Sequence, residues 1–158
     1  MALGFTEPSP ETALRARALR LLARREHSRA ELRRKLSPHA GEEGVDLEAL
    51  LDDFTRRGWL SEERFVEQTV RAKACKYGPL KIAHHLREKG IDESGIEHGL
   101  AQARAQEGEA LASAWRSRFG RLPADEPERA KQVRFLQQRG FSLEAVLRFL
   151  KSQPSPSR

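Results

Sequence analysis

The strongest constraint on how this chain folds is a short pattern that occurs three times. A basic residue and a glycine are followed by one or two apolar residues and then by Ser or Asp, in the segments RRGWLS (56–61), EKGIDE (88–93) and QRGFSL (138–143). A glycine in this place ends an α-helix with a left-handed backbone conformation. Ser and Asp are preferred caps at the start of the next helix. The pattern therefore predicts three tight corners, each joining two helices.

A second regularity sets the direction in which the chain enters its helices. At four predicted caps, an apolar residue directly precedes the cap and another lies four residues after it. Such a pair is a hydrophobic staple, whose two side chains pack across the helix start. Strand signals are almost absent, and apolar residues recur at helical spacing, so the sequence predicts an all-α fold. The stapling pairs are Val45 and Leu50, Leu60 and Phe65, Ile91 and Ile96, and Phe141 and Val146.

The predicted helices form a repeat. Leu36, Leu86 and Leu136 lie 50 residues apart, each at the end of a short basic helix that is followed by a capped and stapled one. This spacing predicts three tandem repeats of three helices, nine helices in all, with each repeat packing mainly on its neighbours. The predicted boundaries are an N-terminal tail at 1–10, repeats at 11–58, 59–106 and 107–151, and a disordered tail at 152–158. The seventh helix is expected to run from Glu107 to Phe119.

Charge follows the repeat. The chain has 29 Lys and Arg residues against 23 Asp and Glu residues, a net charge of +6 that favours acidic partners, with nucleic acid first among them. In each of the first two repeats, the basic residues lie on the first two helices and the acidic residues lie on the third. Two arrangements stay open. In one arrangement, the basic helices form one long surface for a polyanion. In the other, basic and acidic helices of different repeats neutralise each other.

Side chains suited to catalysis or metal binding occur only in weak patterns. His84 and Glu88 are four residues apart on one helix but lack a third ligand, and the adjacent His85 points to a different face. The acidic pairs 52–53 and 62–63 are interpreted as solvated or first-turn acids and not as a nuclease site. Cys75 is interpreted as a small buried residue, and a single cysteine excludes an internal disulfide. We predict that the protein is not an enzyme and uses no metal and no cofactor.

The cellular compartment is predicted from three further features. One cysteine fits a reducing environment. No apolar stretch is long enough to span a membrane, and the N-terminus lacks the pattern of a secretory signal. We therefore expect a cytoplasmic protein with no membrane partner.

The aromatic residues fall into two groups. Five of them occupy staples or apolar stripes and are predicted to be core: Trp59, Phe65, Trp115, Phe119 and Phe141. Tyr77 differs because it stands at a break between helices, in the segment KACKYGPLK. Three interpretations stay open for it. Tyr77 stacks on a base, anchors a protein partner, or covers the helix junction.

Three stretches of the chain carry a resemblance to a known family: LLARREHSRAELRRKL, RAKACKYGPLKIAHHLREKGID and RAKQVRFLQQRGFSLEAVLRFLK. They resemble the RecX family, bacterial regulators of the RecA recombinase, and the resemblance runs from about Leu14 to Lys151. It implies an elongated, curved array of three three-helix units without catalytic activity. It also implies that such a protein binds in the groove of the RecA–single-stranded DNA filament and hinders strand exchange, ATP hydrolysis and co-protease action. We expect the protein to be a monomer. Binding of double-stranded DNA is left open.

The resemblance also assigns binding residues by motif position and charge. Gly78, Pro79, Gly90 and Gly140 match the family as well, but they are assigned structural roles. The candidate binding residues are Arg24 and Arg25 in the first stretch, Arg71, Lys73, Lys76, Tyr77 and Lys81 in the second, and Arg129, Lys131 and Arg134 in the third.

Two other classes of function stay open. Each corner is similar to the bend of a helix-turn-helix motif, which suggests a protein that binds DNA directly. Against this, no helix after a corner is rich in Arg, Asn and Gln. The other class is a helical adaptor that binds only protein. Added salt separates the two, because direct DNA binding weakens steeply with salt and protein docking much less.

Overall fold

The computed structural model describes residue 4 and residues 6–40 and 44–155. Helices are the only regular elements in this part of the chain, which confirms the all-α prediction. The eight helices are α1 (Pro10–Arg24), α2 (Arg29–Ala40), α3 (Leu47–Arg56), α4 (Glu62–Lys73), α5 (Pro79–Glu88), α6 (Glu93–Arg118), α7 (Glu126–Gln138) and α8 (Leu143–Ser152).

The prediction of nine helices is wrong in the described part of the chain. The predicted sixth and seventh helices are one continuous helix, α6, of 26 residues, which crosses the predicted boundary between residues 106 and 107. The reason is local, because the segment AQARAQEGEA (101–110) is rich in strong helix formers and has no proline. A single glycine, Gly108, does not break such a helix. The boundaries of the three repeats stay predictions.

The two predicted tails are only partly within the described residues. Pro10 is the first residue of α1, and Ser152 is the last residue of α8, so both belong to helices. Residues 1–3, 5 and 156–158 lie outside the described residues, and so does the acidic segment 41–43.

The chain divides into two compact units, Met1–Phe65 and Val66–Arg158, with the boundary inside α4. In the first unit α2 packs against both α1 and α3. The core of this unit contains Leu14, Ala18, Leu32, Leu36, Leu51 and Phe54. In the second unit α5 packs on α6, and α7 and α8 pack on each other and on α6. Its core includes Leu111, Trp115, Leu136, Phe141, Val146 and Leu150.

The predicted caps and corners are confirmed. The side chains of Ser9, Asp46, Asp92, Asp125 and Ser142 each accept a hydrogen bond from the backbone N–H three residues later. The corner glycines have left-handed φ values of 74° at Gly58, 79° at Gly90 and 95° at Gly140. Every stapling residue is buried except Val45, which is half-buried. The helix ends were therefore readable from local sequence.

Burial was predicted less well than the helix ends. Phe65, Trp115 and Phe141 are buried as expected, and Phe119 is half-buried. Trp59 is 41% exposed, so its assignment to the core is wrong. It follows the corner glycine and contacts the Phe54 ring edge-on, with ring centroids 5.3 Å apart, while Leu60 takes the buried staple position.

Cys75 is exposed and not buried, which corrects a second prediction. It lies in the turn between α4 and α5, where the preceding Ala74 fills the buried position and is 1% exposed. A turn presents its successive side chains in different directions, so a buried residue and an exposed one stand side by side. The Cys75 thiol lies 3.7 Å from the carbonyl oxygen of Ala72.

Two glycines allow the start of α5 to contact the corner between α7 and α8. Gly78 donates its N–H to the carbonyl of Arg139 at 2.8 Å, and Leu80 donates to the carbonyl of Gly140 at 3.1 Å. A Cβ atom on Gly78 would lie 2.3 Å from the Gly140 carbonyl oxygen. A Cβ atom on Gly140 would lie 2.4 Å from the Lys81 Cβ atom. We call this contact the glycine seam.

We predict that Gly140→Ala lowers the free energy of unfolding by at least about 2 kcal/mol, because alanine resists the left-handed conformation and clashes with Lys81. Gly108→Ala is the matched control, since a methyl group at this position of α6 would meet nothing within 4 Å beyond the adjoining backbone of its own helix. That change is expected to stabilise the protein by about 0.5–1 kcal/mol. Urea unfolding followed by circular dichroism measures both values. Equal effects of the two changes would contradict the role of the glycine seam.

A buried polar cluster lies at the start of α2. His27 is 1% exposed, with Nδ1 3.0 Å from the Arg25 carbonyl oxygen and Nε2 3.3 Å from Lys35 Nζ. Both contacts fit a neutral ring that donates from Nδ1 and accepts at Nε2. Burial lowers the pKa of His27, and the neighbouring Arg25 and Lys35 charges act in the same direction, against the opposing effects of the backbone hydrogen bond and Glu31.

We predict that His27 makes the protein less stable in mild acid. The unfolded chain binds the proton near the ordinary histidine pKa of about 6.5, whereas the buried ring binds it only at lower pH. The contribution of neutral His27 to the free energy of unfolding is therefore fully present above about pH 6.5. It is lost as the pH falls below this value, by at most about 1.4 kcal/mol per pH unit. The measurement is the melting temperature at pH 7.5 and 5.5. His27→Gln should reduce the difference between the two, and exposed His98→Gln should leave it unchanged.

Candidate nucleic-acid interface

The basic residues of α2 are largely neutralised within the first unit. Arg29 contacts Glu48 at 2.9 Å and Asp52 at 2.7 Å, and Arg33 forms two hydrogen bonds to Glu48. The hydrogen bonds from Arg33 and Arg29 lower the pKa of Glu48 to about 2. Arg15 pairs with Asp53 at 2.9 Å. Neutralisation thus occurs between helices of the first unit, whereas one of the two arrangements left open from the sequence placed it between repeats.

The two candidate binding residues in the first unit have different surroundings. Arg25 donates to both carboxylate oxygens of Glu31, which is 3% exposed, and this hydrogen bonding raises the pKa of Arg25. Arg24 is exposed at the end of α1. Arg25 therefore has a clear structural role in holding a buried carboxylate, and Arg24 does not.

The second unit gathers cations around an aromatic ring at the glycine seam. The Tyr77 ring centroid lies 4.6 Å from Lys81 Nζ, 5.5 Å from Lys73 Nζ and 5.7 Å from the guanidinium carbon of Arg139. Tyr77 is half-buried. The seam produces this cluster, since it joins the start of α5, with Lys81, to the end of α7, with Arg139. This position fits the interpretation that Tyr77 covers the helix junction. Stacking on a base and anchoring of a protein partner stay predictions.

The cluster continues along the second unit as an alternation of cations and rings. Arg139 also lies over Phe135 at 5.1 Å, Arg118 lies over the same ring at 5.9 Å, and Arg118 lies 5.8 Å from the Phe119 ring. Phe119 and Phe135 make an edge-to-face contact with centroids 5.3 Å apart. We name this set the cation–aromatic row: Lys73, Lys81, Tyr77, Arg139, Phe135, Arg118 and Phe119.

The cations of the row differ from those of α2 in their partners. Within the described part of the chain, none of Lys73, Lys81, Arg118 and Arg139 contacts a carboxylate; their contacts are with aromatic rings. A ring positions a cation over its face but does not neutralise the charge. The row therefore presents oriented positive charges that remain available to an anion.

The other candidate residues are distributed over the second unit. Lys76 is exposed in the turn after α4, and Arg71 is exposed on α4. Lys131 lines a small groove with Arg118 and Arg121. Arg129 is half-buried and Arg134 is exposed on α7, and no described contact links them or Arg71 to the row. Sequence reasoning missed Arg118 and Arg139 as site residues.

The candidate metal ligands His84 and Glu88 are exposed on α5. His84 contacts Glu88 at 3.1 Å on an exposed face of α5. Among the residues that the structure describes, no group of three His, Cys, Asp or Glu side chains is arranged to hold a metal ion. None of the described helices is both long enough and apolar enough to cross a membrane.

The fold defines a class, that of all-helical proteins built from three-helix domains. Comparison with known proteins makes this more specific. The chain matches three RecX domain families, described as the first, second and third three-helix domains, at residues 15–39, 61–100 and 105–150. The regulatory protein RecX of Ralstonia nicotianae is 47% identical over 144 residues, covering 90% of this chain and 89% of its own. The chain belongs to the RecX family of regulatory proteins.

Other relatives agree with this assignment. The regulatory protein RecX of Pseudomonas fluorescens is 43% identical over 140 residues and covers 87% of this chain and 90% of its own. The crystal structure of RecX from Lactobacillus salivarius has a TM-score of 0.72 at 21% identity, over 90% of this chain and 95% of that one. At that identity the structural likeness supports the fold alone.

We predict that Arg25→Ala and Arg24→Ala separate a structural arginine from a surface arginine. Removing Arg25 leaves the buried Glu31 carboxylate short of its closest cation, which is expected to cost about 2 kcal/mol of the free energy of unfolding. Arg24→Ala, one residue away and exposed, should change it by less than about 0.5 kcal/mol. Urea unfolding at pH 7 measures the difference. A loss of similar size in both variants would contradict the assignment.

Proposed function

We propose that this protein is a non-enzymatic regulator that binds the RecA–single-stranded DNA filament in its helical groove. Bound there, it inhibits the recombinase, ATPase and co-protease activities of RecA. The observation that carries the proposal is the contrast between two arginines of α2 and the cation–aromatic row. Arg29 and Arg33 are paired with carboxylates of α3, whereas the cation–aromatic row keeps its charges free of carboxylates in the described residues.

A nucleoprotein filament suits this distribution of charge better than naked DNA does. A filament groove offers both phosphate and protein surfaces, so it accepts basic and acidic patches together. Naked DNA presents charge of one sign, which repels exposed acids such as Asp92 at the start of α6. Protein side chains of the filament have no such uniform sign.

The cellular role follows from the proposed target. A regulator of RecA acts in recombination, DNA repair and the SOS response, so the protein is placed in the cytoplasm. We propose that it acts as a monomer. Membership of a family of regulatory proteins supports a role without catalysis of its own.

We predict that reversing two charges, Lys76→Glu together with Lys81→Glu, weakens inhibition of RecA at least about tenfold, a change of about 1.4 kcal/mol, without unfolding the protein. Lys81 lies over the Tyr77 ring, and Lys76 is exposed beside it in the chain. The assay is ATP hydrolysis by preassembled RecA filaments on single-stranded DNA, with the protein well below the RecA concentration.

The matched control is Arg116→Glu with Lys151→Glu. This variant changes the net charge by the same amount at two exposed positions that have no described contact with the row. It should inhibit as the unmodified protein does. Full inhibition by the Lys76/Lys81 variant would contradict the placement of the interface. No inhibition by the unmodified protein up to equimolar amounts would overturn the proposed function and favour direct DNA binding.

A further inference from the structure

A groove in the second unit adjoins the cation–aromatic row. It has a volume of about 410 Å³ and lies between the α4–α5 turn, α6 and α7. Cys75 and Lys76 contribute from the turn, and Phe135 and Arg139 from α7. We name it the α6–α7 groove.

One face of α6 forms a wall of this groove. Ser113, Ala114, Ser117 and Arg118 line it, at positions that recur with the period of an α-helix. Arg116 lies two residues from Arg118, about 200° around the helix axis, and does not line the groove. The wall thus presents two hydroxyl groups and one guanidinium group.

The lining has the composition of a phosphate site. Three of the described lining residues are cations, Lys76, Arg118 and Arg139, and none is an acid. Phe135 holds both arginines, with guanidinium carbons 5.9 and 5.1 Å from its ring centroid. Guanidinium groups stacked on a ring keep their N–H edges for hydrogen bonding, and they bind phosphate oxygens in pairs. The serine hydroxyls add donors for the same oxygens.

We propose that the α6–α7 groove binds the phosphodiester backbone of single-stranded DNA. The proposal rests on the proposed function, since it assigns the nucleic-acid part of the filament to this groove. A flexible single strand can place consecutive phosphates inside a concave site. A duplex is rigid on this scale and presents its phosphates on a convex surface, so it reaches only the rim.

Cys75 provides a direct test because it is the only cysteine in the chain and lines the groove. The unmodified protein, without RecA, is treated with iodoacetamide, an uncharged reagent, and alkylation is followed by mass spectrometry. A saturating 15-mer of deoxythymidine is expected to slow alkylation of Cys75 at least about fivefold. A hairpin duplex, thymidine monophosphate and poly-glutamate, each at equal charge concentration, should slow it less than twofold.

Paired variants test the cations. Arg118→Gln with Arg139→Gln should weaken binding of the 15-mer at least about tenfold, since it removes two charged hydrogen-bonding groups. It should also make the slope of log K against log salt shallower by about 1.4, at about 0.7 per lost phosphate contact. Arg116→Gln is the matched control on the same helix and should leave binding, slope and Cys75 protection unchanged.

Each contrary outcome overturns the proposal in a distinct way. Unchanged alkylation of Cys75 in the presence of the 15-mer would show that single-stranded DNA does not bind in the groove. Equal protection by the monophosphate assigns the groove to free nucleotides, equal protection by the hairpin assigns it to duplex DNA, and equal protection by poly-glutamate assigns it to acidic protein. The RecA ATPase assay is separate. Cys75 protection without RecA inhibition would overturn the proposed function and leave the groove assignment standing.

Discussion

Two backbone hydrogen bonds across the glycine seam create the candidate interface. A helix begins with N–H groups that lack an internal partner and ends with carbonyl groups in the same condition. Here the start of α5 donates to the end of α7, through Gly78 and Leu80, so two sets of unpaired groups satisfy each other. The partial positive end of one helix dipole also meets the negative end of another. The row of cations depends on this contact, because the contact brings Lys81 and Arg139 to one tyrosine.

Arginine and lysine side chains are used in two different ways in the described part of the chain. In the first, arginine pairs with carboxylate, both across the surface of α2 and α3 and at the buried Glu31. In the second, the arginine and lysine side chains of the cation–aromatic row rest on aromatic rings. An ion pair satisfies a cation, whereas a ring orients it and leaves its charge and donors available. Net charge alone does not distinguish the two, which is why a basic sequence gives an incomplete account of where a polyanion binds.

Local patterns predicted the local structure. Ser9, Asp46, Asp92 and Ser142 act through residues three or four positions away, so their roles are visible in the sequence. Cys75 and Trp59 were misplaced because burial depends on which neighbour fills the space, here Ala74 and Leu60. Arg118 was missed because the ring that positions it, Phe135, is on another helix. His27 had no pattern of its own, and its burial arises from the packing around α2.

The continuous helix α6 limits which insertions and deletions of residues the fold can accept. A residue added to a loop displaces its neighbours slightly, but a residue added inside a helix rotates everything beyond it by about 100° and shifts it by about 1.5 Å. Gly99, which packs on Val66, and Trp115, which donates to Gln132, lie on the same helix and must keep their relative phase. Insertion or deletion of a single residue between these two positions is therefore expected to disrupt the packing. Only changes close to a whole number of helical turns should be tolerated.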